Sequence, residues 1–265
     1  MQMKLLTVFL VFSVYFVFIR KWRKNTQKFY PINRPFVFGH RGSRLQGTEN
    51  TISSFKKALN QGVDGLEFDV RCTKDKKVII FHDSDLTRLA GINKKIKNLT
   101  YKELQEINLK RGEKIPLLDD FVEILDKKVA INIEIKSDSI FSGYGAVNPV
   151  VLFIEKHNLQ DRCIVSCFNP LVLISLKVKR PQTIIGYLYN RSVPLHGWHN
   201  VIWMRSVRPD NLHIHYDLLD TWAVRWAKKQ GLKVNSYTVN DRKTYEKIKK
   251  LNIDGVFTDN IEYLK

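Results

Sequence analysis

Cysteine is scarce in this chain, and its three residues, Cys72, Cys163 and Cys167, are an odd number. Cys163 and Cys167 sit four apart in a stretch patterned as a strand, so their Cα atoms lie about 13 Å apart at ~3.3 Å per residue. A disulfide spans under ~7 Å. A disulfide-stapled scaffold is therefore excluded, and reduced thiols fit a reducing compartment. Internal repeats and low-complexity tracts are absent, which removes repeat arrays. Acid is the minority charge, with 26 Asp and Glu against 44 Lys and Arg and a formal net charge of +18. Lys4, Arg20, Lys21, Arg23, Lys24 and Lys28 all fall in the opening stretch, which holds no acid. That excess favours anionic partners, although a run such as Lys243–Lys250 reads as solvated helix surface. The aromatic residues do not interleave with Lys and Arg in any nucleic-acid module, so no nucleic-acid partner is expected. At 44% hydrophobic and 26% charged over 265 residues, the chain is globular and long enough for one large core.

Only one long apolar run is present, Leu5–Ile19. It is close to the lower length limit for a membrane-spanning helix, and RKWRK follows it rather than a signal-cleavage site. The expectation is an N-terminal transmembrane anchor with its basic flank over 1–24 and a linker over 25–35. Because Arg20–Lys24 outweighs Lys4, the positive-inside rule places the remainder on the cytoplasmic side of the bilayer.

From residue 36 onward, short apolar runs alternate with helical patterns, which signals an α/β fold with a parallel sheet. Strands are predicted at Phe36–His40, Gly65–Val70, Lys77–His82, Val129–Lys136, Cys163–Phe168, Thr183–Tyr187, Asn211–Tyr216, Lys233–Val239 and Gly255–Thr258. Helices are predicted at Thr51–Gln61, Thr100–Ile107, Leu118–Leu125, Val147–His157, Pro170–Leu176, Leu219–Gln230 and Arg242–Leu251. Thr100 with Glu103 resembles a capping box, and Gly62 and Gly231 are placed as helix C-caps. Nine strands for eight places favour a (β/α)8 TIM-type barrel, with one of the nine either not a strand or outside the barrel. About seven residues separate Asp69 from the strand ending at His82, too few for a crossover helix. That unit either lacks its helix or is a hairpin.

Polar residues cluster near the predicted strand ends, where a barrel carries its active site. They are His40 and Arg41, Glu67 and Asp69, His82 and Asp83, and Glu134 and Lys136. Residues two apart on a strand share a face, so Glu67/Asp69 and Glu134/Lys136 each point one way from otherwise apolar runs. Buried carboxylates must be paired or metal-bound. Glu67, Asp69 and Glu134 together call for a cation, and an all-oxygen set selects Ca²⁺ or Mg²⁺. Failing that, the carboxylates form a network with Arg41. His40 and His82 titrate near neutrality and are the candidate acid–base pair. His213 and His215 alternate on one face of a late strand but lack the charged context of His40 and His82, and are not assigned to the site.

These residues lie in a pattern that resembles the glycerophosphodiester phosphodiesterase family. HRG at His40–Gly42, ENT at Glu49–Thr51, ExD at Glu67–Asp69 and HD at His82–Asp83 appear in the family's order. So do IPLLDDF, INIEIK, SCF, SYTVN and DGVFTDN, and the resemblance covers about 36–265. It implies a phospholipase-C-like barrel that hydrolyses glycerol-containing phosphodiesters with one divalent cation. His40 and His82 would be the acid–base histidines, and Glu67, Asp69 and Glu134 the metal ligands. Arg41 and Lys136 would face the phosphate, with Glu49 and Asn50 supporting the site. The family usually has Trp where this chain has Tyr237. A membrane tether would point to lysophospholipid as well as glycerophosphodiester substrates. The alternatives are a sphingomyelinase-D-like lyase forming a cyclic phosphate, or a non-catalytic, membrane-tethered binder of anionic lipid.

Overall fold

The computed structural model describes residues 25, 27, 29, 30, 33–125, 129–190 and 198–264. Eight strands close into a parallel barrel: β1 (Phe36–His40), β2 (Gly65–Cys72), β6 (Ala130–Ile135), β7 (Cys163–Cys167), β8 (Ile184–Tyr189), β9 (Asn211–His215), β10 (Lys233–Tyr237) and β11 (Gly255–Thr258). Closure comes from β1, which pairs with β11 on one side and β2 on the other. The ninth strand, β3 (Val78–Ile80), lies outside the barrel and runs antiparallel to β2, so the short unit is a hairpin. His82 therefore sits on the loop beyond a hairpin strand, not at the end of a barrel strand as the pattern suggested.

Where that unit would have had a helix, residues 78–117 fold as a small excursion. A second hairpin, β4 (Asp85–Leu86) with β5 (Ile92–Lys95), and two short helices, α2 (Thr87–Ala90) and α3 (Tyr101–Gln105), belong to it. Its own core includes Ile79, Phe81, Leu86, Ile96 and Leu104. The expected capping box is present, with Thr100 accepting from the Glu103 amide and Glu103 returning to Thr100. The helix expected at Leu118–Leu125 is a 3₁₀ helix, Asp119–Ile124. Phe121 from it packs 4.3 Å from Phe68 on β2 and 5.2 Å from Phe55. It thus fills the position of the missing crossover helix.

The remaining helices cover the barrel: α1 (Ile52–Asn60, which carries Phe55), α4 (Val147–Lys156), α5 (Pro170–Lys179), α6 (Trp198–Val207), α7 (Trp222–Lys229) and α8 (Arg242–Lys250). Helix α6 lies in a stretch for which neither a helix nor a strand was expected. On β2, Leu66, Phe68 and Val70 belong to the main core shared with the helix layer, while Glu67 points inward and lines the barrel cavity. Period-2 alternation thus splits each strand between an apolar helix side and the barrel interior. A separate cluster of Phe36, Phe38, Ala130, Ile164, Ile184 and Phe257 fills the lower interior.

Two expectations meet the structure in the opening residues. Among the described residues no helix is long and apolar enough to cross a membrane, and Leu5–Ile19 lies outside them. The single-pass membrane protein with a cytoplasmic domain is corrected accordingly. In the stretch read as linker, Phe29 and Tyr30 pack against the interior cluster, and Tyr30 Oη lies 3.1 Å from both Asn211 Oδ1 and Asn235 Oδ1. Arg34 forms an ion pair with Asp64. Tyr30→Ala is expected to cost roughly 2–3 kcal/mol, somewhat below a fully buried ring because Tyr30 is half-buried. Urea denaturation measures it, and a change within error would show that this strap does not support the barrel.

Candidate active site

The polar residues singled out from the sequence gather at the C-terminal end of the barrel strands. Register decides who meets whom: β1 places His40 beside Glu67 of β2, and β2 places Asp69 beside Glu134 of β6. After His40 the chain turns sharply, with φ of 55° at Arg41 and 81° at Gly42. A Cβ at Gly42 would stand 2.5 Å from Ser54 Oγ and 2.8 Å from the Ser54 backbone carbon. Only glycine lets the turn close against α1, and the turn aims the Arg41 amide at Glu67 Oε2, 2.7 Å away.

A cavity of about 250 Å³ opens over this region, and His40, Arg41, Glu67, His82, Glu134, Lys136 and Tyr237 all line it. Asp69, Glu49 and Asn50 stand outside that lining. Asn50 Nδ2 donates to Asp69 Oδ2 at 2.9 Å. Arg41 Nε forms an ion pair with the same oxygen at 3.2 Å. Tyr237 Oη donates to the Tyr189 carbonyl at 2.9 Å, which turns the phenol toward the cavity wall.

Oxygen atoms of Glu67, Asp69 and Glu134 lie within 4.8 Å of one another. Burial, then the neighbouring Asp69 and Glu134 charges, push the Glu67 carboxyl well above its ordinary range against the pull of Arg41. At Asp69 burial acts in the same direction, but Lys136, Arg41, His82 and Asn50 outweigh it and hold the carboxyl low. Lys136 Nζ sits 2.6 Å from Glu134 Oε1 and 3.5 Å from Asp69 Oδ1. Burial opposes its charge, yet those two carboxylates keep its ammonium pKa raised. Glu67 Oε1 is buried and accepts no hydrogen bond. An orphaned oxygen among three crowded carboxylates is what a hard divalent cation would satisfy, so the residues present fit such an ion.

Each histidine is oriented by an aspartate through Nδ1, His40 by Asp259 and His82 by Asp83, both at 2.7 Å. An ionised carboxylate only accepts, so each Nδ1 carries a proton and each Nε2 is left to exchange one with the substrate. Burial lowers the His82 pKa, although Asp69 works to raise it. The two pairs are linked through Glu49. Arg44 joins Glu49 to Asp259 (2.9 and 3.5 Å), and Arg88 joins Glu49 to Asp83 (2.6 and 2.8 Å). Burial raises the Glu49 carboxyl, but Arg88 and Arg41 hold it down at about 2. Asp259, Arg44 and Arg88 escaped the sequence reading. Asp259 lies in the DGVFTDN stretch and was a cue in hand, whereas the arginines look like any other surface cation in so basic a chain. Arg71 anchors the His82 loop, donating Nε to the His82 carbonyl at 2.8 Å and pairing with Asp138.

The model of the glycerophosphoryl diester phosphodiesterase family matches residues 40–263. A glycerophosphodiester phosphodiesterase of Caldanaerobacter subterraneus subsp. tengcongensis is 33% identical over 239 residues, spanning 87% of this chain and 96% of its own. A lysophospholipase D of Mus musculus is 27% identical over 258 residues, spanning 83% and 82%. Among solved structures, a phosphodiesterase of Oleispira antarctica in complex with the product sn-glycerol-3-phosphate is similar, with a TM-score of 0.77 and 28% identity. That similarity covers 87% of this chain and 95% of the other.

Proposed function

This chain belongs to the glycerophosphoryl diester phosphodiesterase family, and from that membership we propose that it hydrolyses a glycerophosphodiester to sn-glycerol 3-phosphate and an alcohol. It is a phosphoric diester hydrolase, which sets aside the non-catalytic lipid binder. The single observation that carries the mechanism is the pair of aspartate-oriented histidines on one cavity, with three carboxylates between two cations.

Arg41 and Lys136 bind the non-bridging phosphoryl oxygens and orient the phosphorus. A Ca²⁺ or Mg²⁺ ion held by Glu67, Asp69 and Glu134 would supply further neutralisation of charge on those oxygens. One histidine, neutral, accepts through Nε2 the proton of the attacking hydroxyl, either the substrate's own glycerol 2-hydroxyl or water, as its oxygen bonds to phosphorus. A cyclic ester formed by the 2-hydroxyl is then opened by water to the linear monoester. The other, entering as the imidazolium with protons on both nitrogens, donates its Nε2 proton to the alcohol oxygen as the phosphorus–oxygen bond to it breaks. Asp259 and Asp83 keep each ring in the tautomer that presents Nε2 and stabilise the imidazolium. Glu49, Arg44 and Arg88 hold both aspartates, so the supporting ring is shared. The catalytic domain is assigned to 36–265.

Lysophospholipid is the second substrate class, favoured by the similarity to a lysophospholipase D. A panel of glycerophosphocholine, lysophosphatidylcholine and sphingomyelin, assayed with Ca²⁺, Mg²⁺ and chelator, tests the reading. Metal-dependent release of choline from glycerophosphocholine, with linear phosphate monoester by phosphorus NMR, is expected. Release from sphingomyelin alone, or a cyclic phosphate as the final product, would replace this assignment with the lyase.

A further inference from the structure

A second cavity, of about 360 Å³, opens beside the catalytic one, between the excursion of residues 78–117 and the loop from β6 to α4. Lys136 lines both, so the two cavities abut. Among the described residues its cations are Arg71, Lys95, Lys97 and Lys136, and its one acid is Asp138. That acid is already paired. Arg71 donates from Nη1 and Nη2 to the two Asp138 carboxylate oxygens at 2.8 Å each, while its Nε holds the His82 carbonyl. Arg71 first, with Lys136 and Lys97 adding to it, holds the Asp138 carboxyl below its ordinary range against burial. Lys136 in turn is occupied by Glu134 and Asp69.

Lys95 and Lys97 remain. Both are exposed, and the ion pairs at this cavity, Arg71–Asp138 and those of Lys136, include neither of them. Asp85, opposite Lys95 in the hairpin register, accepts instead from the Thr87 amide. Two ammonium groups without a counter-ion, on the wall of a cavity and not on an open face, set a positive field that an anion would neutralise. Cys72, Ile96 and Ala146 line the same space and offer apolar contact. A short carbon chain ending in a compact anion fits this lining. A quaternary ammonium head group does not, because the cations repel it.

We propose that the second cavity binds a phosphate monoester, either carried on the alcohol arm of a diester whose bridging phosphate sits at Arg41 and Lys136, or free as inorganic phosphate. The inference rests on the phosphodiesterase reading and adds a substrate class to it, diesters whose alcohol arm is itself phosphorylated. Such an arm runs from the catalytic cavity past Lys136, with its carbons on Cys72, Ile96 and Ala146 and its terminal phosphate at Lys95 and Lys97. The two lysines act on recognition and take no part in proton transfer.

The test compares glycerophosphoglycerol with the same diester carrying a phosphate monoester on one terminal hydroxyl. The unaltered protein is expected to favour the phosphorylated diester about tenfold in kcat/KM at low ionic strength, through KM, because several exposed charge pairs act together. In Lys95→Ala/Lys97→Ala that ratio should fall toward one, with glycerophosphoglycerol hydrolysed at the unaltered rate. Lys94→Ala/Lys102→Ala removes the same charge from the same excursion but outside the cavity lining, and should keep the ratio. Loss of the ratio in the first variant alone assigns the cavity to the substrate arm. Calorimetric titration with inorganic phosphate separates the other source. A ratio near one in the unaltered protein, with one phosphate fewer bound by Lys95→Ala/Lys97→Ala, assigns the cavity to free phosphate. A ratio near one with equal phosphate binding overturns the proposal, and so does a ratio that survives in the first variant or falls equally in both. If neither diester is hydrolysed the phosphodiesterase reading fails, and the phosphate titration still decides the cavity.

Discussion

Turnover by His40→Ala or by His82→Ala is expected to fall about 10²- to 10⁴-fold, the usual worth of a positioned acid or base. Neither histidine is replaceable by the cations beside it, because Arg41 and Lys136 stay charged and cannot accept a proton at neutral pH. The truncations should leave the fold intact. Without His40, Asp259 keeps Arg44 at 3.5 Å and the Asn240 amide at 3.0 Å. Without His82, Asp83 keeps Arg88 at 2.8 Å. The three-carboxylate cluster is untouched in both variants, so divalent binding should persist. Steady-state kinetics with a calorimetric metal titration checks this directly. Near-normal turnover by either variant removes the two-histidine mechanism, and loss of metal binding together with turnover would point to collapse of the site instead.

Substitution of Glu67 by Gln is expected to separate metal binding from stability. In the metal-free protein the Glu67 carboxyl is penalised by burial and by the Asp69 and Glu134 charges, with Arg41 compensating only in part. A neutral amide of the same shape removes that repulsion, so metal-free Glu67→Gln should unfold at a temperature at least equal to that of the unaltered protein. Added Ca²⁺ or Mg²⁺ at a hundredfold excess over its Kd should stabilise the unaltered protein by about 2.7 kcal/mol and the variant far less. Scanning calorimetry with metal and with chelator measures both arms. A metal-dependent shift retained by Glu67→Gln would mean that the ion, if bound, is held elsewhere. On the proposed mechanism a bound cation would also neutralise phosphoryl charge, so turnover should fall with the lost shift.

Much of the site was legible because its signals are local. Glu67/Asp69 and Glu134/Lys136 each share a strand face through period-2 geometry, and that alternation is written in adjacent residues. The Thr100–Glu103 capping box and the glycines at 62 and 231, both with positive φ, belong to the same class. So does the parallel barrel, whose strand count exceeded eight by one.

What only the folded chain decided involves partners far apart in sequence. Asp69 meets Glu134 because β2 pairs with β6 in one register, and a shift of one residue would turn the carboxylates away from each other. Strand β3 turned out to belong to a hairpin because antiparallel pairing with β2 needs no crossover, a choice that apolar patterning alone leaves open. The helix at Trp198–Val207 carries little amphipathic signal, so its sequence resembled a loop. Asp259 reaches His40 across 219 positions, and the Glu49 ring joins three segments through arginines that are unremarkable in a chain of net charge +18. The sequence by itself determined which residue types stand at the strand ends and which way they point along each strand. The tertiary structure alone decided which of them share a cavity, because strand register and burial are properties of the closed barrel and not of any one segment.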